Sequence, residues 1–282
     1  RDKDTSRGLG DVYKRQSGSL LEDREIPIQF QATVLRECHE MGKELIVESR
    51  CEQLTEEKLS WATSINPSFT VAIGLEAYDD EVLRFHVNKG FTTKSWDKAV
   101  ENLRKFNLRI KTYLMFKPPF MSEKDALVHG VKWIKDVASR SDEISVNPMN
   151  IQRGTIIDRL HRHNEYRPPW LWSLVEMIKQ SHPHIHPKGG VNGSPDQVSR
   201  LIIHPTAGGK IRGAHNCGSC DKFVVAAIER YAVSGDLREF DGLSCECQSM
   251  WREELALEAA LPLPLGISRP RRGNRIENLR SL

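Results

Sequence analysis

Residues 69–116 read FTVAIGLEAYDDEVLRFHVNKGFTTKSWDKAVENLRKFNLRIKTYLMF, and this stretch decides the fold class. It starts with an apolar run of strand length, residues 69–75, and ends with another, residues 109–116. Helical patterns over residues 79–85 and 93–106 lie between the two runs. Because a strand, a crossover helix and a second strand in this order are typical of parallel sheets, the stretch predicts an α/β fold.

The same alternation continues upstream and downstream of this unit. Thr55, for example, precedes two glutamates and has the pattern of a capped helix start. A sheet of parallel strands covered by helices is therefore expected across residues 17–181. Its further predicted strands cover residues 44–48 and 143–149, and its further predicted helices cover residues 28–41, 55–63, 122–139 and 170–180.

The remaining sequence divides into three parts of different character. Residues 182–258 are rich in glycine and contain four cysteines, and they predict a small cysteine-rich metal module. Residues 259–282 have many proline and arginine residues but no periodicity, so we expect a disordered tail. Residues 1–16 also lack periodicity, and we interpret them as a segment foreign to the fold. Within the module the predicted elements are a strand at 201–203 and helices at 221–232 and 247–260.

Charge and hydropathy give no sign of a membrane and little sign of a partner. The formal net charge is +3, which by itself does not indicate nucleic acid. No apolar run reaches the length of about 18 residues that a membrane span needs, and no charged start leads into an apolar secretory signal. We therefore expect a cytoplasmic protein in a reducing compartment.

Four of the six cysteines form two close pairs. Two residues separate Cys217 from Cys220, and one residue separates Cys245 from Cys247. Four thiolates brought to one point satisfy a tetrahedral ion, so we expect one structural zinc ion there. An iron–sulfur cluster, a redox or disulfide pair, and unpaired thiols are alternatives that the spacing leaves open. His215 could replace one ligand, although a place beside the site or on the surface explains it as well.

Histidines crowd the middle of the chain, but their pattern does not favour a second metal site. His182, His184 and His186 alternate as ligands on a strand would, and His161 and His163 lie nearby in the sequence. No acidic partner lies at a matching spacing, and such segments are often exposed loops. We interpret these histidines as surface residues.

Polar residues follow the predicted strands where each strand ends. They are Glu48 and Arg50, then Glu76, then Lys117, and Asn147 near the end of the fourth strand. In repeated βα units the carboxyl ends of the strands form one rim, at which ligands bind. Two carboxylates, an arginine and an amide on this rim predict a site for a zwitterionic ligand that carries a ribose.

Several stretches resemble the Elp3-type radical S-adenosylmethionine family. The resemblance covers about 130 residues and includes ESRCEQLTEEKL from Glu48, TVAIGLEAYDDEVL from Thr70 and YLMF from Tyr113. Cys51 stands where the family usually has a proline. The tripeptide SGS at residues 17–19 resembles the loop by which the family contacts the amino group of its cofactor.

This resemblance implies a partial (β/α)6 radical S-adenosylmethionine barrel that lacks its first strand. It also implies that S-adenosylmethionine binds in this domain. Ser17, Gly18 and Ser19 would contact the amino group of that cofactor, and Glu48, Arg50, Glu76 and Asn147 would line its carboxylate and ribose.

The family also binds a [4Fe–4S] cluster through a CxxxCxxC motif, which this sequence lacks. Cys38 lies in a predicted helix, and Cys51 has no cysteine close to it in the sequence. Since thiolate-held iron reduces the cofactor in this family, the ligands of the catalytic cluster are missing here. We therefore expect a fragment that is inactive alone, and the sequence identifies no catalytic side chain.

The C-terminal stretches narrow the resemblance to a tRNA-modifying branch of the family. They are YRPPWLWS from Tyr166, GAHNCGSCDK from Gly213 and FDGLSCEC from Phe240. This branch implies a tRNA partner in which a lysine-modified deazaguanine of the D-loop becomes archaeosine through radical cleavage of a carbon–nitrogen bond. It also implies a partner subunit that first transfers the lysine.

A noncatalytic RNA-binding or assembly protein is the alternative. The barrel and the cysteine-rich module would then only present a surface, on which Lys210, Arg212 and Lys222 contact phosphate groups. The genomic sequence upstream of Ser17 separates the two hypotheses. A CxxxCxxC stretch there favours the enzyme, whereas a start codon favours the binding protein.

Overall fold

The structure, a computed structural model, describes residues 12–14, 19–185 and 199–260, and of residues 12–14 it describes the backbone alone. The strands follow one another in the sheet in chain order, β1-β2-β3-β4-β5-β6. The pairs β1–β2, β2–β3 and β5–β6 are parallel. This confirms the predicted α/β class. The strands are Val12–Lys14 (β1), Leu45–Glu48 (β2), Thr70–Glu76 (β3), Arg109–Phe116 (β4), Glu143–Pro148 (β5) and Arg200–Ile203 (β6). The helices are Ile28–Glu40 (α1), Glu56–Ile65 (α2), Asp80–Val82 (α3), Thr93–Lys105 (α4), Glu123–Ala138 (α5), Ile156–Arg162 (α6), Leu171–Ile185 (α7), Asp221–Ser234 (α8) and Cys247–Ala260 (α9).

Helix α7 is longer than the sequence predicted. It continues past residue 180 to Ile185 and contains Pro183 in its last turn. Ser181 and Ile185 are fully buried, so packing holds this turn in place although the proline cannot donate a backbone hydrogen bond. The domain boundary predicted after residue 181 therefore falls inside a helix.

The chain divides into two compact units in a way that the sequence did not predict. Among the described residues, one unit comprises those up to Leu75 together with Thr93–Thr112. The other comprises Glu76–Thr92 and the described residues from Tyr113 onward. The second unit thus contains α5 and β5 as well as the cysteine-rich segment. The number of strands in a complete barrel stays a prediction.

In the first unit, β2 pairs in parallel with β3 so that Glu48 is opposite Ala72. Leu45 and Val47 of β2 are completely buried, which matches an apolar strand covered by helices. The side chain of Asn102 in α4 donates to the carbonyl of Leu54 at 2.8 Å and ties that helix to the loop after β2. These contacts fix the end of β2, where the predicted cofactor residues lie.

Strand β1 pairs in parallel with β2, with the backbone of Tyr13 opposite Ile46. It lies within residues 1–16, which the sequence analysis set apart from the fold. The pairing adds a strand that the sequence did not predict. The foreign origin of the segment stays a prediction.

In the second unit, β5 pairs in parallel with β6 so that Ile144 is opposite Leu201. The Ser122 side chain caps α5 by accepting from the backbone N–H of Asp125 at 3.0 Å. Gly130 of α5 lies so close to Phe116 that a Cβ atom would come within 3.1 Å of its ring. Close packing of α5 on the end of β4 therefore favours glycine at this position. Leu127, Ile134 and Val137 are buried and form the apolar face of α5.

No helix within the described part of the chain has the length and apolar character that crossing a membrane requires.

Candidate functional site

The four cysteines of the C-terminal segment lie together. Their sulfur atoms are all within 4.8 Å of one another: Cys217, Cys220, Cys245 and Cys247. Cys217 Sγ is 3.9 Å from that of Cys220 and 3.7 Å from that of Cys245, and the Cys220 and Cys247 sulfurs are 3.7 Å apart. A tetrahedral ion with metal–sulfur bonds of about 2.3 Å separates its sulfurs by about 3.8 Å, whereas a disulfide needs about 2.05 Å. The thiols are free and are spaced to hold one metal ion.

Two helix starts bring the thiols to this point. Cys220 immediately precedes α8, and Cys247 is the first residue of α9. Gly218, inside the first pair, has a φ of 92°, a left-handed conformation that glycine adopts without strain. Cys220 and Cys247 therefore lie at the positive ends of two helix dipoles, which favours their thiolate forms.

Two side-chain N–H groups donate to the buried sulfurs. Asn216 Nδ2 is 3.3 Å from Cys220 Sγ, and Trp172 Nε1 is 3.2 Å from Cys247 Sγ. Asn216 Oδ1 also accepts from the backbone N–H of Trp172 at 3.3 Å. Such donors orient metal ligands and stabilise their charged form. The stretches YRPPWLWS, GAHNCGSCDK and FDGLSCEC therefore meet around a single cluster.

The surroundings affect the four thiols differently. Hydrogen bonding from the backbone N–H of Cys220 lowers the pKa of Cys217 to about 6. Burial raises the pKa of Cys220 to about 12 and also raises that of Cys247. A bound cation favours the charged form of a ligand and offsets the cost of burying it. A bound cation would therefore favour the thiolate forms of both buried cysteines.

The histidines do not join the cluster. His215 is half-buried beside the cysteines, and its Nδ1 lies 2.8 Å from the carbonyl oxygen two residues before it. His182 and His184 lie in the last turns of α7, where His182 Nδ1 is 3.3 Å from the hydroxyl of Tyr231. None of these three belongs to a group of three or more metal-ligating side chains within the described residues. His186 lies outside those residues.

In the first unit, the predicted cofactor residues surround the end of β2. Ser19 is buried, and its Oγ is 2.8 Å from the Oγ of Ser49. The backbone N–H of Leu20 donates to the carbonyl of Glu48 at 3.1 Å. Arg50 is exposed and forms a 3.1 Å ion pair with the glutamate two residues later. The segment that begins at Ser19 therefore lies against the exit of β2, and its contact with the amino group of a cofactor stays a prediction.

In the second unit, two strand exits have unusual backbone geometry. Glu76 at the end of β3 has a φ of 70°, and Lys117 directly after β4 has a φ of 57°. Residues other than glycine adopt this region at a cost of about 1–3 kcal/mol, and such residues cluster at functional sites. Glu76 forms a 3.0 Å ion pair with Lys89, and Asn147 is half-buried in β5.

The proposed cofactor residues are thus divided between the two units. Glu48 and Arg50 belong to the first unit, and Glu76 and Asn147 belong to the second. Their convergence on one ligand stays a prediction. Residues 17 and 18, the serine and glycine expected at the amino group of the cofactor, lie outside the described residues.

A buried ion pair follows β4, and the sequence did not predict it. Lys117 Nζ is 2.6 Å from Glu123 Oε2, and the two side chains are 6% and 0% exposed. Glu123 Oε1 accepts from the backbone N–H of Trp170, and the Tyr166 hydroxyl donates to the carbonyl of Lys117, both at 2.8 Å. Buried charges are tolerated only with such additional hydrogen bonds. The pair therefore joins the exit of β4 to the start of α5 and to the YRPPW stretch.

Helix α9 also contacts the start of α5. The carboxylate of Glu258 accepts from the backbone N–H groups of Glu123 at 3.2 Å and of Lys124 at 2.8 Å. One turn earlier, Glu254 accepts from Trp170 Nε1 at 2.8 Å. The first N–H groups of a helix have no partner within it, so Glu258 caps α5 from another element. Helix α9 thus has a cluster cysteine at its first residue and contacts the start of α5 near its last turn.

The Glu258→Ala variant is expected to lower the free energy of unfolding by about 1 kcal/mol, because it removes the acceptor for two N–H groups at a helix start. Urea unfolding followed by circular dichroism measures the change. Glu253→Ala, an exposed neighbour on α9, is the matched control and is expected to stay within about 0.5 kcal/mol of the unaltered chain. Equal losses in the two variants would contradict the capping role.

Fold and site define an α/β protein with a parallel sheet and a group of four free thiols. The chain is 32% identical over 249 residues to archaeosine synthase subunit beta of Methanosarcina acetivorans, covering 86% of this chain and 68% of the relative. It is 34% identical over 243 residues to archaeosine synthase subunit beta of Thermococcus kodakarensis, covering 83% and 71%. The chain therefore belongs to the archaeosine synthase subunit beta family, and no protein-family model matches it.

Solved structures show only distant likenesses. Elp3 of Methanocaldococcus infernus, with an N-terminal deletion, aligns over 69% of this chain and 42% of its own, with a TM-score of 0.49 and 18% identity. TsrM of Kitasatospora setae, a radical S-adenosylmethionine methyltransferase, aligns over 49% of this chain and 27% of its own, with a TM-score of 0.36 and 13% identity.

Proposed function

We propose that this chain is part of an enzyme that modifies tRNA by radical S-adenosylmethionine chemistry. The reaction would convert a lysine-modified deazaguanine of the D-loop to archaeosine by cleaving a carbon–nitrogen bond. The observation that carries the proposal is the identity to two archaeosine synthase beta subunits over most of the chain. Both relatives are named as subunits, which supports a partner subunit, and we propose that this partner transfers the lysine.

For the cofactor, we propose binding at the strand exits by the residues that the sequence resemblance assigned: Ser17, Gly18, Ser19, Glu48, Arg50, Glu76 and Asn147. The backbone hydrogen bond from Leu20 to Glu48, which puts the segment from Ser19 at the end of β2, and the left-handed backbone of Glu76 support this assignment. When bound, S-adenosylmethionine and its cluster supply one-electron chemistry, which amino-acid side chains do not. The residues of this chain would bind and orient the cofactor.

The residues of this chain do not fit the [4Fe–4S] cluster that such chemistry uses. Two of the six cysteines, Cys38 and Cys51, are buried in the first unit, and the other four form the C-terminal group. The sequence contains no CxxxCxxC motif. We therefore assign no radical step to the described residues and expect this chain alone not to cleave S-adenosylmethionine.

For the four cysteines, we propose a structural zinc ion. Four thiolate ligands leave no open position for water or substrate, which is typical of structural zinc sites. The N–H donors to the buried sulfurs support a closed metal site of this kind.

A chimera tests the proposed reaction. In the Methanosarcina acetivorans relative, the aligned part is replaced by this chain, and the flanking sequence of the relative is kept. With the lysine-transferring subunit, a reductant and S-adenosylmethionine, the chimera is expected to form archaeosine in tRNA, detected by mass spectrometry of the digested nucleosides. This chain alone is the control and is expected to form none.

The chimera also separates the enzyme from the noncatalytic alternative. A folded chimera that carries its cluster and cleaves S-adenosylmethionine but leaves the lysine-modified tRNA unchanged would contradict the proposed reaction. If that chimera still bound tRNA, the result would favour the RNA-binding protein.

A further inference from the structure

A cleft lies between the segments that follow β5 and β6 in the second unit. Its volume is about 630 Å³, and five of its eight lining residues have polar or cationic side chains. The segments belong to the carboxyl ends of two parallel neighbouring strands, where βα proteins bind their ligands. The lining includes Asn150, Gln152, Arg153, Lys210, Ile211 and Arg212.

The two sides of the cleft are fixed to each other. The backbone N–H of Ile151 donates to the carbonyl of Arg212 at 2.8 Å, and Arg212 Nε donates back to the carbonyl of Ile151 at 3.1 Å. The loop with Lys210 and Ile211 turns tightly, since a Cβ atom at Gly213 would lie 2.3 Å from the carbonyl oxygen of Ala207. This loop therefore presents Lys210 and Ile211 from a rigid backbone.

The charge of these segments is strongly positive at the surface. Residues 149–164 and 204–217 contain five arginines and lysines and one acidic residue, a formal net charge of +4. The acidic residue, Asp158, is 1% exposed. It accepts from Arg212 at 2.7 Å and also pairs with Arg162. The backbone N–H of Gly154, with these arginines, holds the pKa of Asp158 well below its usual range, so this carboxylate stays charged while the remaining cations face solvent.

We propose that this cleft binds the sugar–phosphate backbone of tRNA. Arg153 and Lys210 are exposed on opposite sides of it and supply the phosphate contacts. Ile211, which is 70% exposed beside Lys210, contacts a sugar or the face of a base. Arg212 has a different role from the one that the sequence suggested, because its guanidinium holds Asp158 and the opposite loop. The proposal rests on tRNA as the substrate and adds where the chain binds it.

Binding of unmodified tRNA transcript to the full chain tests the proposal. The dissociation constant is measured by fluorescence anisotropy at several salt concentrations. Removing two phosphate contacts in the R153A/K210A variant is expected to weaken binding about tenfold near physiological salt and to reduce the slope of log Kd against log salt by about 2. K132A/R252A, which removes one exposed lysine and one exposed arginine from α5 and α9, is the matched control and is expected to change Kd less than about twofold.

The outcomes distinguish the cleft from the proposed function. If the unaltered chain binds tRNA and the two double variants lose the same affinity, or if R153A/K210A keeps the full salt slope, the cleft is not the RNA site. The proposal that tRNA is the substrate would not be contradicted in that case. If the unaltered chain shows no salt-dependent binding of tRNA, the cleft is contradicted, whereas the tRNA substrate is decided separately by the chimera.

Discussion

A chain with Cys220 replaced by serine is expected to lose its bound metal, whereas the unaltered chain binds about one zinc ion. Cys220 is buried, and its sulfur is within 4 Å of two other cluster sulfurs. A serine hydroxyl does not replace a thiolate as a zinc ligand at neutral pH. Because metal binding is coupled to folding at such sites, the variant is also expected to unfold at a clearly lower temperature.

Elemental analysis of the purified chain and its thermal unfolding measure these effects. Four thiolates suit both zinc and iron, and the elemental analysis is expected to find zinc and not iron. Cys38→Ser is the matched control, because Cys38 is a buried cysteine outside the cluster. It is expected to keep the full metal content. An unaltered chain without metal, or equal metal content in both variants, would overturn the metal site.

The Glu123→Gln variant is expected to lower the free energy of unfolding by about 3 kcal/mol. The amide keeps the shape of the side chain and an acceptor for Trp170, but it removes the counter-charge that is hydrogen-bonded to the buried ammonium of Lys117. Removal of one partner from a buried ion pair typically costs this much, because the other charge keeps its desolvation penalty.

An exposed ion pair on the same helix provides the control. Asp136→Asn breaks the 2.8 Å pair between Lys132 and Asp136, whose lysine side chain is 58% exposed. Pairs of this kind on a helix surface contribute about 0.3–0.5 kcal/mol. Urea unfolding of both variants compares the two environments directly. A loss of less than about 1 kcal/mol in Glu123→Gln would mean that the pair is hydrated rather than buried.

Local periodicity predicted most of the fold. The residues of β4 and the start of α9 were predicted correctly, because apolar spacing and the cysteine that opens α9 are local signals. Helix α6 was missed although Thr155 caps it. Its seven residues are too few to show a helical period in the sequence. The end of α7 was missed because tertiary packing of Ile185 outweighs the signal of Pro183.

Only part of the candidate site was predicted from the sequence. The four cysteines were identified from spacing alone, since a metal needs several ligands and close pairs supply them. Neither the Lys117–Glu123 pair nor the contact of Glu258 with α5 was predicted. Glu258 is far from α5 in the sequence, and the spacing of Lys117 and Glu123 does not show that the two side chains are buried. The division of the strand-exit residues between two units likewise depends on contacts and not on sequence pattern.

Helix α9 would connect the metal content of the cysteine cluster to the structure at the start of α5. From Cys247 to Glu258 the helix rises by about 16 Å, at about 1.5 Å per residue. Removal of the proposed metal ion by a chelator would free its first turn, and the last turn would then hold the start of α5 less firmly. Two preparations of the unaltered protein that differ only in metal content would therefore differ in how well the residues around Lys117 are ordered. A defect at that strand exit would then be repaired by adding metal ion, with no change of sequence.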